Sequence, residues 1–328
     1  MVQLFSKSAA AGVAAMLALG LTAAEAKTFR WASASDIPTW DIHSQNNALA
    51  NGIHAAVYEA LFYYNSRNFA LEPLLATGYK QVSPTQVRVT LRQGVKFHDG
   101  ADFDADDAVY SLERAMAKTS NFGVYTQGID KVTKVDSHTI DITTKGPNPV
   151  LLRQLTELRM MDRGWAEKNN SLEPKDIKTK DENFAHRNAN GTGPFMLKSW
   201  EQDVRLVLAR NPNWWGKMEG NVTEIVYTPI KAEATRVAAL LSGEVDMILD
   251  PSPADLPRLR NTQGLKVVDG AENRTIFLGM DQFRDELPGS NVKGKNPLKD
   301  VRVRKALYQA IDINTIARVT MRGLAQPT

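Results

Sequence analysis

The chain has 328 residues, enough for two domains or one large one, and its 43% hydrophobic and 23% charged content is ordinary for a folded soluble protein. The formal net charge is +3, with Lys and Arg dispersed rather than clustered, which argues against nucleic acid as a partner. No cysteine is present, which excludes disulfides, Cys-ligated zinc, iron–sulfur clusters and thiol nucleophiles, and removes the residue that an N-terminal lipid anchor needs.

Residues 1–26 read as a targeting segment. Lys7 supplies the positive start, Ala9 to Ala23 form an apolar run, and Ala24-Glu25-Ala26 is an A-x-A cleavage site. The run is shorter than the roughly 20 apolar residues of a membrane-spanning helix. A cleaved signal peptide is expected, with a mature chain from Lys27 that is exported and not membrane-embedded.

Phe29 to Ala34 predicts the first mature strand, followed by the polar loop Ser35-Asp36-Ile37-Pro38-Thr39-Trp40-Asp41. Loops at the carboxyl ends of strands in α/β domains commonly carry ligands, so this one is a candidate site. The alternative is a turn with Trp40 as a packing anchor. Asn51 to Phe62 predicts a helix with Ile53, Ala56, Val57, Ala60 and Leu61 on one face. Val87, Val89 and Leu91 alternate with Arg88, Thr90 and Arg92, the two-residue period of a half-buried strand. Gly94 and Asp99-Gly100 then supply turn chemistry. Asp104 stands at a helix N-cap, Asp106 and Asp107 fill the first turn, and Ala108, Val109, Leu112, Ala115 and Met116 form an apolar face.

Val132 to Thr143 predicts a hairpin turning at Asp136-Ser137, and Leu151, Leu152, Leu155 and Leu158 a helix. Residues 168–190 read as an irregular surface segment. Strands are expected from Phe195 through Trp200, over Val204–Leu208 with burial on both faces near Val207, over Ile225–Pro229 and over Glu244–Leu249. Ala232–Ser242 predicts a helix closed by Gly243, Arg274–Met280 a further strand, and Val303, Ala306, Leu307, Ala310 and Ile311 a last amphipathic helix.

The chemical constellations are sparse. Asp102, Asp104, Asp106 and Glu113 fit positions 1, 3, 5 and 12 of a calcium loop, but position 6 is Asp107 where that loop needs Gly. An acidic helix cap explains them better. Gly191-Thr192-Gly193 lacks the third glycine of a dinucleotide loop and leads into a strand. The histidines His43, His54, His98, His138 and His186 form no close ligand pair, and no G-x-S-x-G elbow occurs. Arg302, Arg304 and Lys305 read as a solvated helix face, with a carboxylate clamp as the sharper alternative.

The wording from Leu91 to Ala115 resembles the signature of family 5 extracytoplasmic solute-binding proteins, the ligand-capturing subunits of peptide and nickel ABC importers. Gly94, Val95, Lys96, Phe97, His98, Asp99, Gly100, Ala105, Asp106, Asp107, Val109, Tyr110, Ser111 and Arg114 match, while Ala108 replaces the usual Val. Further resemblances are V-Y-E-A-L-F ending at Phe62, G-T-G-P-F from Gly191, N-P-N-W-W from Asn211, A-L-L-S-G-E-V-D-M ending at Met247, and D-V-R-V-R from Asp300.

This resemblance implies an α/β, two-lobed periplasmic binding protein of the Venus-flytrap, type II-like kind. Residues 27–62 and 188–275 are expected to form the core of the first lobe, 63–187 an inserted subdomain, and 276–328 the start of a second lobe, incomplete in this chain. Family chains run well beyond this length, so a fragment is expected, exposing apolar surface and binding poorly. The implied function is periplasmic capture of di- or oligopeptides for delivery to an ABC permease and its ATPase, by a monomer without catalytic residues, metal or cofactor. The alternatives are another cargo (a nickel chelate, an oligosaccharide or an opine-like compound) and, further off, a secreted hydrolase. The implied ligand contacts are Ser35, Asp36, Ile37, Pro38 and Trp40, with Arg274 as a further candidate; an amine-binding carboxylate is expected beyond Thr328.

Overall fold

A computed structural model describes residues 26–179, 181–270 and 275–327. The targeting segment, apart from its last residue, and Arg274 lie outside the described residues. Contacts divide the chain into two units. The first is built mainly of Ile37–Glu201 and Leu206–Val226, and the second of Arg30–Asp36, Gln202–Arg205 and the residues from Tyr227 onward.

β1 (Lys27–Ser33) leads through the polar loop to α1 (Ala48–His54), whose N-cap Asn47 accepts a hydrogen bond from the Ala50 amide. The helix expected over 51–62 is therefore shifted toward the N-terminus and ends early. The reason is tertiary. The carbonyls of Ala56 and Val57, which a continuing helix would use internally, instead accept from the amides of Phe195 and Gly193 at 2.9 Å each. β2 (Phe62–Tyr64) and β3 (Leu71–Pro73) follow as an antiparallel ribbon.

β4 (Ala76–Ser83), β5 (Gln86–Leu91) and, after α2 (Ala105–Met116) and the single turn α3 (Gly123–Thr126), the hairpin β6 (Ile129–Asp136) and β7 (Thr139–Thr144) build an antiparallel sheet ordered β4-β5-β7-β6. Val87 lies opposite Ile142 and Val89 opposite Ile140, all four buried, so the expected alternation places one face in the core. α2 buries Ala108, Leu112 and Ala115 in the same cluster. Its start is a reciprocal capping box: Asp104 accepts from the Asp106 amide at 2.7 Å, and Asp107 accepts from the Asp104 amide at 3.0 Å. Gly94 and Gly100 adopt positive φ, as the turns before the helix require.

α4 (Leu151–Gln154), α5 (Arg163–Lys168) and α6 (Phe184–Arg187) are short; α6 lies inside the segment expected to be irregular. β8 (Phe195–Glu201) and β9 (Arg205–Arg210) are neighbours, and Leu206, Val207 and Leu208 are all buried, the two-sided burial expected there.

In the second unit, the end of β10 (Val222–Pro229) leads to α7 (Glu233–Leu241) and then to β11 (Met247–Ile248), which pairs parallel with β1 through Trp31 opposite Met247 and Ala32 opposite Ile248. Gly243, at φ +76°, closes α7 as expected. This α/β crossover buries Ala32, Ala239 and Val245. Arg30 fixes the pairing by a fork of hydrogen bonds to Asp246. α8 (Leu256–Arg260) and α9 (Val301–Ala310) follow.

The strand expected over Arg274–Met280 is absent from the described residues 275–280. A strand forms only against a neighbour that takes its amides and carbonyls, and none of the sheets includes this segment; Ile276, Phe277 and Leu278 are 83%, 77% and 70% exposed. The apolar side of α9 is likewise exposed at Leu307 and Tyr308.

Candidate functional site

Between Thr39 and Ser44 in the first unit, the buried polar residues Thr39, Asp41, His43 and Ser44 stand among the buried apolar Trp40 and Ile42. The anchor of this stretch is an ion pair between Asp41 and Arg114 of α2. The guanidinium donates two hydrogen bonds to the carboxylate, at 2.6 and 2.7 Å, and neither side chain is more than 1% exposed. Asn183 donates to Asp41 at 3.1 Å, and Arg114 also donates to the carbonyls of Ser171 and Leu172. Burial pushes the Asp41 carboxyl up, but the Arg114 charge and these hydrogen bonds outweigh it and hold the group at about 2. The signature arginine thus ties the signature helix to the candidate loop.

Two histidines flank this pair. His43 Nδ1 lies 3.3 Å from an Arg114 nitrogen, and only its lone pair can face that donor. Burial, then the Arg114 charge, lowers its pKa to about 3. His54 Nε2 donates to the Thr39 carbonyl at 2.9 Å, leaving Nδ1 as an acceptor without a partner. Burial, then the charge of Arg159, lowers its pKa to about 3 as well. Both rings are uncharged in the fold. Trp40 packs against His54 with ring centroids 5.4 Å apart.

A second hub joins the other resembled motifs. Glu59, buried, accepts from Thr192 Oγ1 at 2.8 Å, Trp214 Nε1 at 3.2 Å and Trp215 Nε1 at 2.8 Å. Burial raises its pKa and the three donors oppose that rise. Arg92 stacks over the Trp215 ring at 4.2 Å. Gly191 and Gly193 pass so close to the Val57 backbone that an added Cβ would lie 2.0 and 2.7 Å from its nearest atom. His98 accepts from the Gly191 amide through Nδ1 at 3.3 Å and donates through Nε2 to the Gly193 carbonyl at 3.0 Å. Its ring thus bridges the backbone of the two glycines. These motifs form a scaffold and present no reactive group.

The six expected ligand contacts fall in different settings. Ser35 is exposed and Asp36 half-buried; both belong to the second unit, where Ser35 accepts from the Tyr227 hydroxyl and Asp36 accepts from the Asp203 amide at 2.7 Å. Pro38 is half-buried, while Ile37 and Trp40 are 1% and 0% exposed in the first unit. Trp40 is buried with its ring against that of His54. Arg274 lies outside the described residues.

Asp41, His43, His54, Glu59 and Arg159 carry the polar interior and were not singled out by sequence pattern. The available signal was polar residues interrupting apolar runs. Among the described residues no group of three or more His, Cys, Asp or Glu is arranged to hold a metal ion. The carboxylates of the calcium-loop frame have other partners: Asp102 pairs with Lys96, Asp106 with Lys134, and Asp104 caps α2.

Three comparisons place this architecture among known proteins. The model of bacterial extracellular solute-binding proteins, family 5 Middle, matches residues 70–328. The chain is similar to the glutathione-binding protein GsiB of Salmonella paratyphi A, 27% identical over 323 residues, which cover 97% of this chain and 58% of GsiB. Solved structures of similar fold are AppA of Bacillus subtilis in complex with a nonapeptide (TM-score 0.76, 19% identity, 90% of this chain and 56% of that one) and NikZ of Campylobacter jejuni in complex with Ni(L-His) (TM-score 0.72, 20% identity, 90% and 55%). The α/β fold is that of periplasmic binding proteins, as the resemblance implies. The chain spans little more than half the length of the relatives it matches.

Proposed function

The chain belongs to family 5 of the bacterial extracellular solute-binding proteins, and from that premise we propose that it captures peptides in the periplasm and delivers them to the membrane permease of an ABC importer. The family is one of binding proteins without catalytic activity. The observation that carries the peptide reading is similarity along 97% of the chain to a protein named for binding glutathione, together with 93% coverage by the periplasmic oligopeptide-binding protein OppA of Escherichia coli K12. In this reading, Ser35, Asp36 and Pro38 touch the solute, Ile37 and Trp40 hold the loop from within, and Arg274 adds a contact. An extended peptide is held largely through main-chain hydrogen bonds, which tolerate many side chains. Closing a site over charged peptide ends demands partners for them, because an unpaired buried charge costs several kcal/mol.

Calorimetry on the complete natural protein tests this. Short peptides are expected to bind, and Ni(L-His), offered in parallel, is expected not to. Asp36→Ala should weaken peptide binding about tenfold, the loss of one hydrogen bond to a charged group. Unchanged affinity would retire the loop as a contact. Binding of the nickel chelate alone would replace peptide by metal complex as the cargo.

A further inference from the structure

Phe69 stands where a glycine would be unstrained. It lies in the loop 65–70 that joins β2 to β3, its φ is +59°, and it is 67% exposed. The left-handed region is costly for a bulky L-residue, whose Cβ crowds the neighbouring carbonyl, and Gly escapes that cost. Burial does not offset it here. The loop is nevertheless held in one shape. The Asn65 amide donates to the Ala70 carbonyl at 2.9 Å, and the Phe69 amide to the Asn65 carbonyl at 2.7 Å. The side-chain oxygens of Asn65 and Asn68 accept from the amides of Arg67 and Ala70, at 2.9 Å each. Asn65 Nδ2 donates to Glu72 of β3 at 2.7 Å. A loop ordered in advance loses little entropy when a partner lands on it.

Phe69 also ends a row of rings. Its ring centroid is 6.2 Å from that of Tyr64, which shares a face of the ribbon with Phe62. Phe62 in turn meets Tyr79 of β4 edge-on at 5.9 Å. Phe62 is buried, whereas Phe69 and Tyr79, at the two ends, are exposed. Arg153 of α4 lies over the Tyr64 ring at 5.5 Å, and Arg67 belongs to the loop itself. Both arginines are exposed, and neither has an ion-pair partner among the described residues. Aromatic residues and Arg are those enriched where proteins meet, and a free guanidinium calls for a carboxylate across the contact. A lipid surface would instead call for a continuous apolar helix face or a basic run, and the ribbon offers neither.

We propose that the tip of the β2–β3 ribbon is a docking surface for the periplasmic face of the importer's permease, with Phe69 as its anchor and Arg67 and Arg153 as its charges. Phe69 enters an apolar recess of the permease, and carboxylates at the rim of that recess receive the two guanidinium groups. The strain at Phe69 is then the cost of presenting a ring where the fold alone would favour glycine. This assignment rests on the reading of the chain as an importer subunit, and not on the identity of the cargo.

The test measures, by biolayer interferometry, binding of the complete natural protein to its permease–ATPase complex held in nanodiscs of phosphatidylethanolamine and phosphatidylglycerol. Empty nanodiscs of the same lipids run alongside. The wild type is expected to bind the loaded nanodiscs and not the empty ones. Phe69→Gly and Phe69→Ala should each weaken docking about 30-fold, the effect of truncating a hot-spot residue. Phe69→Gly should also unfold at a higher temperature than Phe69→Ala, whose Cβ keeps the strain, so its lost docking cannot be a loss of fold. Arg153→Glu should weaken docking about tenfold and reduce its salt dependence. Wild-type docking by either Phe69 variant would overturn the surface and leave the importer reading standing. Equal binding of the wild type to empty nanodiscs would overturn it in favour of lipid. Failure of the wild type to bind the loaded nanodiscs would overturn delivery to a permease itself.

Discussion

Arg114→Met is the most informative single change, because it removes the cation that holds the candidate loop and leaves Asp41 buried. Breaking a buried ion pair from one side typically costs about 3–5 kcal/mol. The structure supplies an independent figure. Lowering the Asp41 carboxyl from 3.8 to about 2 is worth roughly 2–3 kcal/mol of folding free energy. Of the two carbonyls that lose Arg114, those of Ser171 and Leu172, both keep the Tyr110 hydroxyl, at 3.4 and 3.0 Å, so little is added. A loss of about 3 kcal/mol at neutral pH follows. Because the folded pKa is depressed, this contribution is fully present above pH 3.8 and fades as pH falls through about 2. Urea unfolding followed by circular dichroism measures it. Adding Asp41→Asn to Arg114→Met should recover part of the loss, since the buried charge is then gone. A loss below about 1 kcal/mol, or strict additivity of the two changes, would refute the claim that this pair anchors the loop.

Three further outcomes are expected. The rings of His43 and His54, held neutral with pKa values of about 3, leave the unfolded chain as the better proton binder below 6.5, so stability falls on acidification. Between pH 7 and 5.5 the two amount to a loss of roughly 2–3 kcal/mol, which Asp107, pushed up to about 6 by burial and therefore favouring the fold as it protonates, offsets by roughly 1 kcal/mol. Urea titrations at the two pH values measure the net fall, and His43→Phe should roughly halve the histidine part. Gly193→Ala should destabilise by about 3 kcal/mol or prevent folding, whereas Gly52→Ala, on an open face of α1, should stabilise by about 0.5–1 kcal/mol in thermal unfolding. Glu59→Gln forces an amide N–H₂ toward one of the donors from Thr192, Trp214 or Trp215; it should cost about 1–3 kcal/mol and change the tryptophan fluorescence.

Local pattern made much of the fold legible. The alternation at Val87, Val89 and Leu91, the Asp104 cap, the hairpin before Thr144 and the Gly243 stop are each decided within a few residues. What pattern missed is decided at a distance. α1 ends at His54 because Gly193 and Phe195, far along the chain, claim the carbonyls of Val57 and Ala56. Residues 275–280 have strand-like composition but no adjacent strand among the described residues. The polar interior was hidden for the same reason: Asp41 and Glu59 are unremarkable in sequence, and only the tertiary fold brings Arg114 to the one and Thr192, Trp214 and Trp215 to the other. The resembled wording marked Arg114 and His98 but not their partners, since a motif preserves identities and not contacts.

Peptide capture is tested most directly by equilibrium dialysis of the complete natural protein against a tryptic digest, with the retained material released by denaturation and weighed by mass spectrometry. The expected result is close to one peptide per protein, recovered with its mass unchanged. Recovery of no peptide, or of peptides shortened or modified during the incubation, would contradict it.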